Sequence, residues 1–416
     1  MLPHPRTART GRAGPAGAAT GPPPPVGSSQ RSLGRSAGGH PTGPARPVGP
    51  RAPWSVLRRA AIFAGVLLAV WQVHSYGIPL DREGVLAWLV VGLAAAGVGR
   101  RAVVPVVTGF LPFALVLIGY DYLRGLSAGL GMATWWQPQI AVDKFLSFGT
   151  EPTVWLQAHL KYGTSTSPDP HWWDVLNTLC YNSFFLLPYV LAAVLWLRNR
   201  AEFHRWALRF VALSFVGFAL FTLMPAARPW AAARCTADQI ASHPSDPICM
   251  NHDLHTGGLF GPIANVRPGA DPWVQRISDR GWGDLHVSAA QPLIDKGRHV
   301  VDPVAAFPSL HLAGTVLFVI FIWARVNRWW RPLLVAYPLV MTFSLVYSGE
   351  HYLIDCIAGA ITAALVSLAA DRIERARASK RATRMPPGAG AKDSDGPCVD
   401  VVEPCSPEGR RAGTRQ

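Results

Sequence analysis

The amino-acid sequence predicts an all-α fold, a polytopic transmembrane helical bundle. Half of the 416 residues are hydrophobic and only 15% are charged, whereas a soluble domain carries about 25% charged residues. Eight apolar runs of roughly bilayer thickness divide the middle of the chain. Arginines account for most of the net charge of +14 and fall mainly in short connections and tails. That distribution is typical of anchoring at anionic lipid, so we exclude nucleic acid as a partner.

Hydropathy places the eight spans, several of which are shorter than the usual length of about twenty residues. A Pro/Gly-rich, basic and disordered tail is predicted over residues 1–52, a transmembrane domain over 53–371 and a second disordered cytoplasmic tail over 372–416. The spans are approximately 56–76, 84–99, 102–119, 175–197, 206–224, 306–323, 332–348 and 352–370.

The connections between spans alternate in charge. By the positive-inside rule the basic ones are cytoplasmic, which predicts a multi-pass protein of the cell membrane with both termini in the cytoplasm. Two long segments, 120–174 and 225–305, then lie outside, and the tryptophans of the first indicate short interfacial helices. The basic residues of the inner connections and tail are Arg100, Arg101, Arg198, Arg200, Arg205, Arg325, Arg328, Arg331, Arg372, Arg375 and Arg377.

The six cysteines show no metal-ligand spacing, and we expect neither a metal nor a cofactor. Cys235 and Cys249 share the second outer segment. A disulfide between them suits an oxidising compartment, and two free thiols are the alternative. Cys180 and Cys356 fall in spans and are predicted to be packing residues.

Few ionisable residues interrupt the apolar runs away from their cytoplasmic ends. His311 opens the sixth span, His351 lies in the outer turn before the eighth, and Asp355 follows on the same helical face. Arg228 leaves the fifth span on the same side. Charged groups at membrane depth are costly and usually functional, so we predict one site at the outer face. Unrelated polar residues at loop junctions are the alternative.

These residue types suit phosphoryl transfer. The neutral imidazole of His351 can attack phosphorus while Asp355 accepts the other ring N–H. His311 can protonate the leaving group and later activate an acceptor hydroxyl. Arg228 can bind phosphate oxygens with its planar guanidinium, and Ser309 begins a helix whose first N–H groups can face an anion. No metal is required.

The motifs resemble those of the type-2 phosphatidic acid phosphatase superfamily, Lys-x6-Arg-Pro, Pro-Ser-x-His and Ser-Arg-x5-His-x3-Asp. The second motif is complete, but Phe221 takes the lysine position of the first and Leu345 the arginine position of the third. The resemblance covers about residues 140–370 and implies a six-helix catalytic core. It implies His351 as the nucleophile, His311 as the acid and base, and Asp355 as the orienting partner.

The reduced first and third motifs look like those of the inositol phosphorylceramide synthase-like branch. Residues 307–311, 351–355 and 174–188, the last containing 181–185, share that likeness. Charge to replace the two missing cations is predicted from Lys296 and Arg298, beside His299. A solvated basic loop is the alternative for these residues.

The resemblance implies an enzyme that acts on a lipid-linked phosphate through a phosphohistidine, with a polyol such as inositol, or a sugar, as the acceptor. If water is the acceptor, the protein is a lipid phosphate phosphatase. A transporter with a His/Asp proton relay is the alternative from another class. The residues' position at one membrane face, with no paired Gly/Pro-broken spans in the sequence, disfavours it.

Overall fold

A computed structural model describes the chain over residues 54–77, 82–98, 103–130, 132–243, 249, 257–284 and 306–384. Within these ranges nearly every element is a helix and no β-strand occurs. The predicted all-α membrane helical bundle is confirmed. The predicted tail at 1–52 and residues 385–416 lie outside the described residues.

The eight predicted apolar runs all coincide with helices, five of them long and apolar enough to cross a membrane and three shorter. The shorter ones are the second, third and sixth runs. In chain order the helices are α1 (Trp54–Tyr76), α2 (Arg82–Gly97), α3 (Val103–Gly129), α4 (Pro138–Leu146), α5 (Pro152–Leu160), α6 (Trp172–Arg198), α7 (Arg200–Leu223), α8 (Pro229–Ala232), α9 (Ala237–Ser242), α10 (Gly281–Asp284), α11 (Leu310–Trp323), α12 (Arg331–Tyr347) and α13 (Leu353–Arg384).

Short helices occupy the first predicted outer segment, as the sequence indicated. A proline begins both α4 and α5, where its missing N–H is not needed and its fixed φ favours the helix. The side chain of Glu151 caps α5 by accepting a hydrogen bond from the Val154 N–H at 2.7 Å. Both helices pack against the bundle, α4 against α13 and α5 against α12.

An aromatic cluster joins α3, α6 and α7 near the α6–α7 turn. Phe110 lies 5.3 Å from Phe203 and 5.7 Å from Trp196 between ring centroids. Phe113 lies 5.4 Å from Phe210. All five rings are buried, and such aromatic pairs contribute beyond the area that they bury. This cluster fixes the helices that frame the site.

The close approach of α11 and α13 depends on Gly359. A Cβ atom at this position would lie 2.3 Å from the carbonyl oxygen of Ser309, so any larger residue would push the helices apart. The Ser309 N–H donates to the carbonyl of Asp355 at 2.9 Å. These contacts hold the start of α11 against the start of α13, where the predicted site residues lie.

The last helix continues further than predicted. We expected a disordered tail from residue 372, but α13 extends through Arg384. The buried guanidinium of Arg209 on α7 pairs with Asp371 at 2.5 Å and with Glu374 at 2.6 Å. These ion pairs hold the helix beyond its apolar part, and the alanines, arginines and lysine that follow are strong helix formers.

The structure distinguishes the two pairs of cysteines. Cys235 and Cys249 form a disulfide, which decides between the two alternatives that the sequence allowed. Cys180 and Cys356 are buried free thiols, as expected of packing residues.

Candidate active site

Two histidines from separate segments meet at the start of α11 and α13, His311 in the first turn of α11 and His351 in the turn just before α13. The Nε2 atom of His351 lies 3.4 Å from the Nδ1 atom of His311. The Nδ1 atom of His351 is 2.9 Å from the carbonyl oxygen of Ala306. A carbonyl only accepts hydrogen bonds, so the proton of neutral His351 is on Nδ1. The lone pair is therefore on Nε2, the atom that faces His311.

The surroundings of His351 keep its imidazole neutral. The residue is 1% exposed. Burial and the positive charge of Arg228 lower the pKa of His351 to about 3. At neutral pH the ring is therefore neutral, with Nε2 unprotonated, and this is the form that can act as a nucleophile.

Asp355 lies close to His351 but does not accept its N–H. The Asp355 Oδ2 atom is 3.7 Å from His351 Nδ1, and it accepts a hydrogen bond from the Tyr352 N–H at 2.9 Å. The sequence predicted that Asp355 accepts the hydrogen bond from the His351 N–H. In the structure the carbonyl oxygen of Ala306 accepts it instead. The backbone of Ala306 is placed there because its own N–H donates to the Ala226 carbonyl at 3.1 Å. The Asp355 carboxyl is within ion-pair distance of the His351 ring if that ring becomes protonated.

Aromatic side chains of α6 surround His311. Tyr181 stacks on the imidazole with ring centroids 4.8 Å apart. Phe184 and Phe185 lie at 4.4 and 5.5 Å from the same ring. This cage fixes the orientation of His311 and shields one side of it from water. It comes from the segment 181–185 that the sequence analysis singled out.

Ser309 is placed to hold the helix that carries His311. Its side chain caps α11 by accepting a hydrogen bond from the Leu312 N–H at 3.3 Å, and its N–H donates to Asp355. Ser309 is fully buried. Its polar groups are thus engaged within the protein, so the structure favours a positioning role where the sequence suggested substrate binding.

Arg228 is buried beside the histidines and pairs with Glu350, the residue that precedes His351. Glu350 also accepts hydrogen bonds from Arg276 Nε at 2.6 Å and from the Ser278 hydroxyl at 2.9 Å. Burial alone would raise the pKa of Glu350, but the charges of Arg276 and Arg228 outweigh it and hold the pKa well below its usual range. The carboxylate is therefore ionised between two arginines.

Sequence reasoning missed Glu350, Arg276 and Asp143. Asp143 on α4 accepts hydrogen bonds from the N–H groups of Leu353 at 2.7 Å and Ile354 at 2.9 Å, so it caps the helix that follows His351. Burial raises the pKa of Asp143 to about 6. Glu350 could have been suspected from its place beside the predicted nucleophile. Arg276 and Asp143 lie in loop and interfacial segments that carry no motif.

Other positions named from the sequence lie away from the site or outside the described residues. Leu345 is fully buried among apolar neighbours, and Phe221 packs against the core, so neither replaces the cation expected there. Lys296, Arg298 and His299 lie outside the described residues. Among the residues that the structure describes, no group of three or more His, Cys, Asp or Glu side chains could hold a metal ion.

Comparison with known proteins identifies the family. A family model described as the PAP2 superfamily matches residues 150–369, slightly more than half of the chain. This range contains Arg228, His311, His351 and Asp355. No curated protein and no solved structure matches the chain. Members of the superfamily are generally phosphatases or phosphotransferases that act on phosphate esters. The chain belongs to the PAP2 superfamily, the type-2 phosphatidic acid phosphatases.

Proposed function

We propose that this protein transfers the phosphoryl group of a lipid-linked phosphate to a hydroxyl acceptor through a covalent phosphohistidine on His351. The observation that carries the proposal is the 3.4 Å approach of His351 Nε2 to His311 Nδ1, with Arg228 close enough to depress the pKa of His351. One imidazole with an available lone pair, a second imidazole and a guanidinium are the groups that metal-free phosphoryl transfer needs.

In the first step the Nε2 atom of His351 attacks phosphorus, and the bond from phosphorus to the lipid oxygen breaks. With the anionic phosphate bound, His311 is an imidazolium; it donates its Nδ1 proton to the departing oxygen and becomes neutral. Arg228 binds the phosphate oxygens, on which negative charge is spread in the transition state. The Ala306 carbonyl keeps the proton of His351 on Nδ1, and the charge of Asp355 stabilises the cationic ring that forms.

In the second step an acceptor hydroxyl loses its proton to His311. The acceptor oxygen attacks phosphorus, and the bond from phosphorus to His351 breaks. A polyol or sugar acceptor makes the protein a phosphotransferase, and water makes it a phosphatase. The enclosure of His351 and the aromatic cage of His311 support transfer, because a site that limits water favours another acceptor. The likeness to the inositol phosphorylceramide synthase-like branch agrees with an inositol-type acceptor.

We further propose that the site faces the outside of the cell membrane. Arg228 lies in the segment that leads to the Cys235–Cys249 disulfide, and disulfides form in oxidising compartments. The basic connections at the opposite ends of the spans fit a cytoplasmic location for both termini. The lipid substrate would then enter from the bilayer at the outer face.

The experiment that tests the proposal is phosphate release by the purified protein from a panel of lipid phosphates, with and without myo-inositol or another polyol. The wild type is compared with His351→Ala. A phosphorylated polyol or a new phosphodiester that requires wild-type protein supports transfer. Free phosphate that is unaffected by polyols identifies a phosphatase. If neither product forms with any lipid of the panel, the enzymatic proposal fails and the transporter alternative regains weight.

A further inference from the structure

A segment of the second outer loop, residues 273–281, is fastened over the turn that contains Glu350 and His351. The side-chain amide of Gln157 on α5 pairs reciprocally with the backbone of Gln275, at 2.7 and 2.9 Å. The φ of Gly349 is +70°, and a Cβ atom there would lie 2.9 Å from the Gln275 carbonyl. Three further hydrogen bonds fasten the segment. Ile277 N–H donates to the carbonyl of Ser348, and Arg280 donates to the carbonyl of Tyr162. The carbonyl of Ser278 accepts from the Thr178 hydroxyl.

This segment places Arg276 beside the two histidines. Its Nε atom lies 2.6 Å from Glu350, which directly precedes His351. Arg276 also interacts with Tyr181, the ring that stacks on His311. Its side chain is 24% exposed, compared with 8% for Arg228. Arg276 is thus the more accessible of the two guanidinium groups beside the site.

The charge balance of the site depends on this second arginine. Arg228 is paired with Glu350, and Arg276 brings a second positive charge to the same carboxylate. Phe221 and Leu345, at the motif positions where a lysine and an arginine are expected, are packed among apolar side chains. A phosphate monoester carries up to two negative charges and needs more than a neutral pair.

We infer that Arg276 binds the substrate phosphate together with Arg228, so that the outer loop supplies a cation that the transmembrane helices lack. Glu350 accepts the hydrogen bond from Arg276 Nε, and the terminal nitrogens of the same planar guanidinium carry the kind of N–H groups that bind two phosphate oxygens in parallel. Glu350 is then a positioning residue that holds both arginines. This inference rests on the proposed function and identifies a binding residue for it.

A purely structural role, neutralisation of the buried Glu350, makes a different prediction. Any cation of similar length would then serve, so Arg276→Lys would leave phosphate binding unchanged. A phosphate-binding role needs the planar guanidinium, because an ammonium group does not bind two oxygens in parallel. Arg276→Gln and Arg276→Lys together therefore separate the two roles.

Arg267 offers a matched control on the same loop. Its Nε atom donates to the carbonyl of His159 at 2.9 Å, in an exposed contact with α5. Arg267→Gln removes the same charge from the same loop without changing the pairs of Glu350. We expect it to bind phosphate and turn over lipid phosphate as the wild type does.

The test is isothermal titration of inorganic phosphate into the purified full-length protein, with turnover of lipid phosphate and the melting temperature measured in parallel. We expect the dissociation constant to rise about 10- to 100-fold in Arg276→Gln, the effect of losing a hydrogen bond to a charged group. We expect the dissociation constant to rise at least about threefold in Arg276→Lys, because an ammonium group lacks the paired N–H donors of a guanidinium. We expect no change in Arg267→Gln.

The inference is overturned if folded Arg276→Gln binds phosphate within twofold of the wild type. If that variant does not fold, Arg276→Lys decides, and an unchanged dissociation constant overturns the inference. In either case wild-type turnover would leave the proposed function intact. If the wild type neither binds phosphate nor turns over any lipid phosphate, the proposed function fails and the inference fails with it.

Discussion

The Nε2 atom of His351 and the Nδ1 atom of His311 lie 3.4 Å apart, although 40 residues of chain separate them. The contact exists because Gly359 lets α13 approach the carbonyl of Ser309 closely. The hydrogen bond from the Ser309 N–H to the Asp355 carbonyl fixes the two helix starts in register. The histidine pair therefore depends on backbone packing as much as on the histidines themselves.

Asp355→Asn isolates the charge of this residue. Asparagine can still accept the hydrogen bond from the Tyr352 N–H through its side-chain oxygen. Since Ala306 holds the His351 proton, we expect kcat to fall roughly 10²- to 10³-fold, as for loss of one electrostatic stabiliser. That is less than the loss of about 10⁴-fold that follows loss of the correct tautomer.

Steady-state rates with one lipid phosphate check this prediction. A loss of 10⁴-fold or more would mean that Asp355, and not Ala306, controls the tautomer of His351. A loss of less than about tenfold would leave Asp355 with a structural role only.

His311→Gln tests the proposed role of His311 as the general acid that protonates the leaving oxygen. Without a proton donor the lipid oxygen must leave as an alkoxide, so we expect a loss of about 10²- to 10⁴-fold with lipid phosphates. A p-nitrophenyl phosphate ester, whose leaving group needs no proton, should lose much less. Rates with the two substrates give the comparison. Equal losses with both would show that His311 serves the reaction in some other way.

Glu151 makes stability depend on pH. Burial raises its pKa from 4.5 to about 7, so the folded protein retains a proton that the unfolded chain releases. The contribution of Glu151 to the free energy of unfolding is fully present below pH 4.5 and is lost as the pH rises through about 7. Glu151→Gln can still accept the hydrogen bond from Val154. At pH 8 we expect it to be more stable than the wild type by roughly 3 kcal/mol, at 1.36 kcal/mol per pKa unit.

Melting temperatures of both proteins between pH 4 and pH 8 provide the measurement for Glu151. The two curves should converge at the acid end, where Glu151 is neutral in both states, and that convergence serves as the control. A constant offset at every pH would mean that the substitution acts through packing and not through ionisation.

The Cys235–Cys249 disulfide should stabilise the loop that begins at Arg228. The two cysteines are 14 residues apart, and closing a loop of about 15 residues contributes roughly 3 kcal/mol in the chain-entropy account. The double variant Cys235→Ser, Cys249→Ser should therefore melt several degrees lower than the wild type. Reductant should lower the melting temperature of the wild type and leave that of the variant unchanged. An equal response of both proteins would contradict the disulfide.

The sequence predicted the bundle because lipid-facing helices must be apolar along their length, and it predicted His311 and His351 because charged groups at membrane depth are rare. It could not reveal that Ala306 binds His351, because every residue carries the same carbonyl. It could not reveal Arg276 either, since an arginine in a long loop resembles any solvated arginine until the loop is seen packed on the site.

The sequence contains an indication that α13 extends past residue 371, although the hydropathy of that segment does not show it. The charged residues after 371 looked like a solvated tail, although Asp371 and Glu374 lie on one helical face. Their partner, Arg209, lies more than 160 residues earlier. Pairing over that distance depends on the three-dimensional fold and not on local pattern.

The central claim is that His351 becomes phosphorylated. The most direct measurement is to mix the purified protein with a lipid phosphate labelled with ³²P and then to quench the reaction. The label that remains on the protein is compared between the wild type and His351→Ala. We predict label in the wild type that is lost in acid and retained in alkali, as for a phosphoramidate, and none in the variant. Label of equal amount in His351→Ala, or turnover near the wild-type rate, would contradict the account.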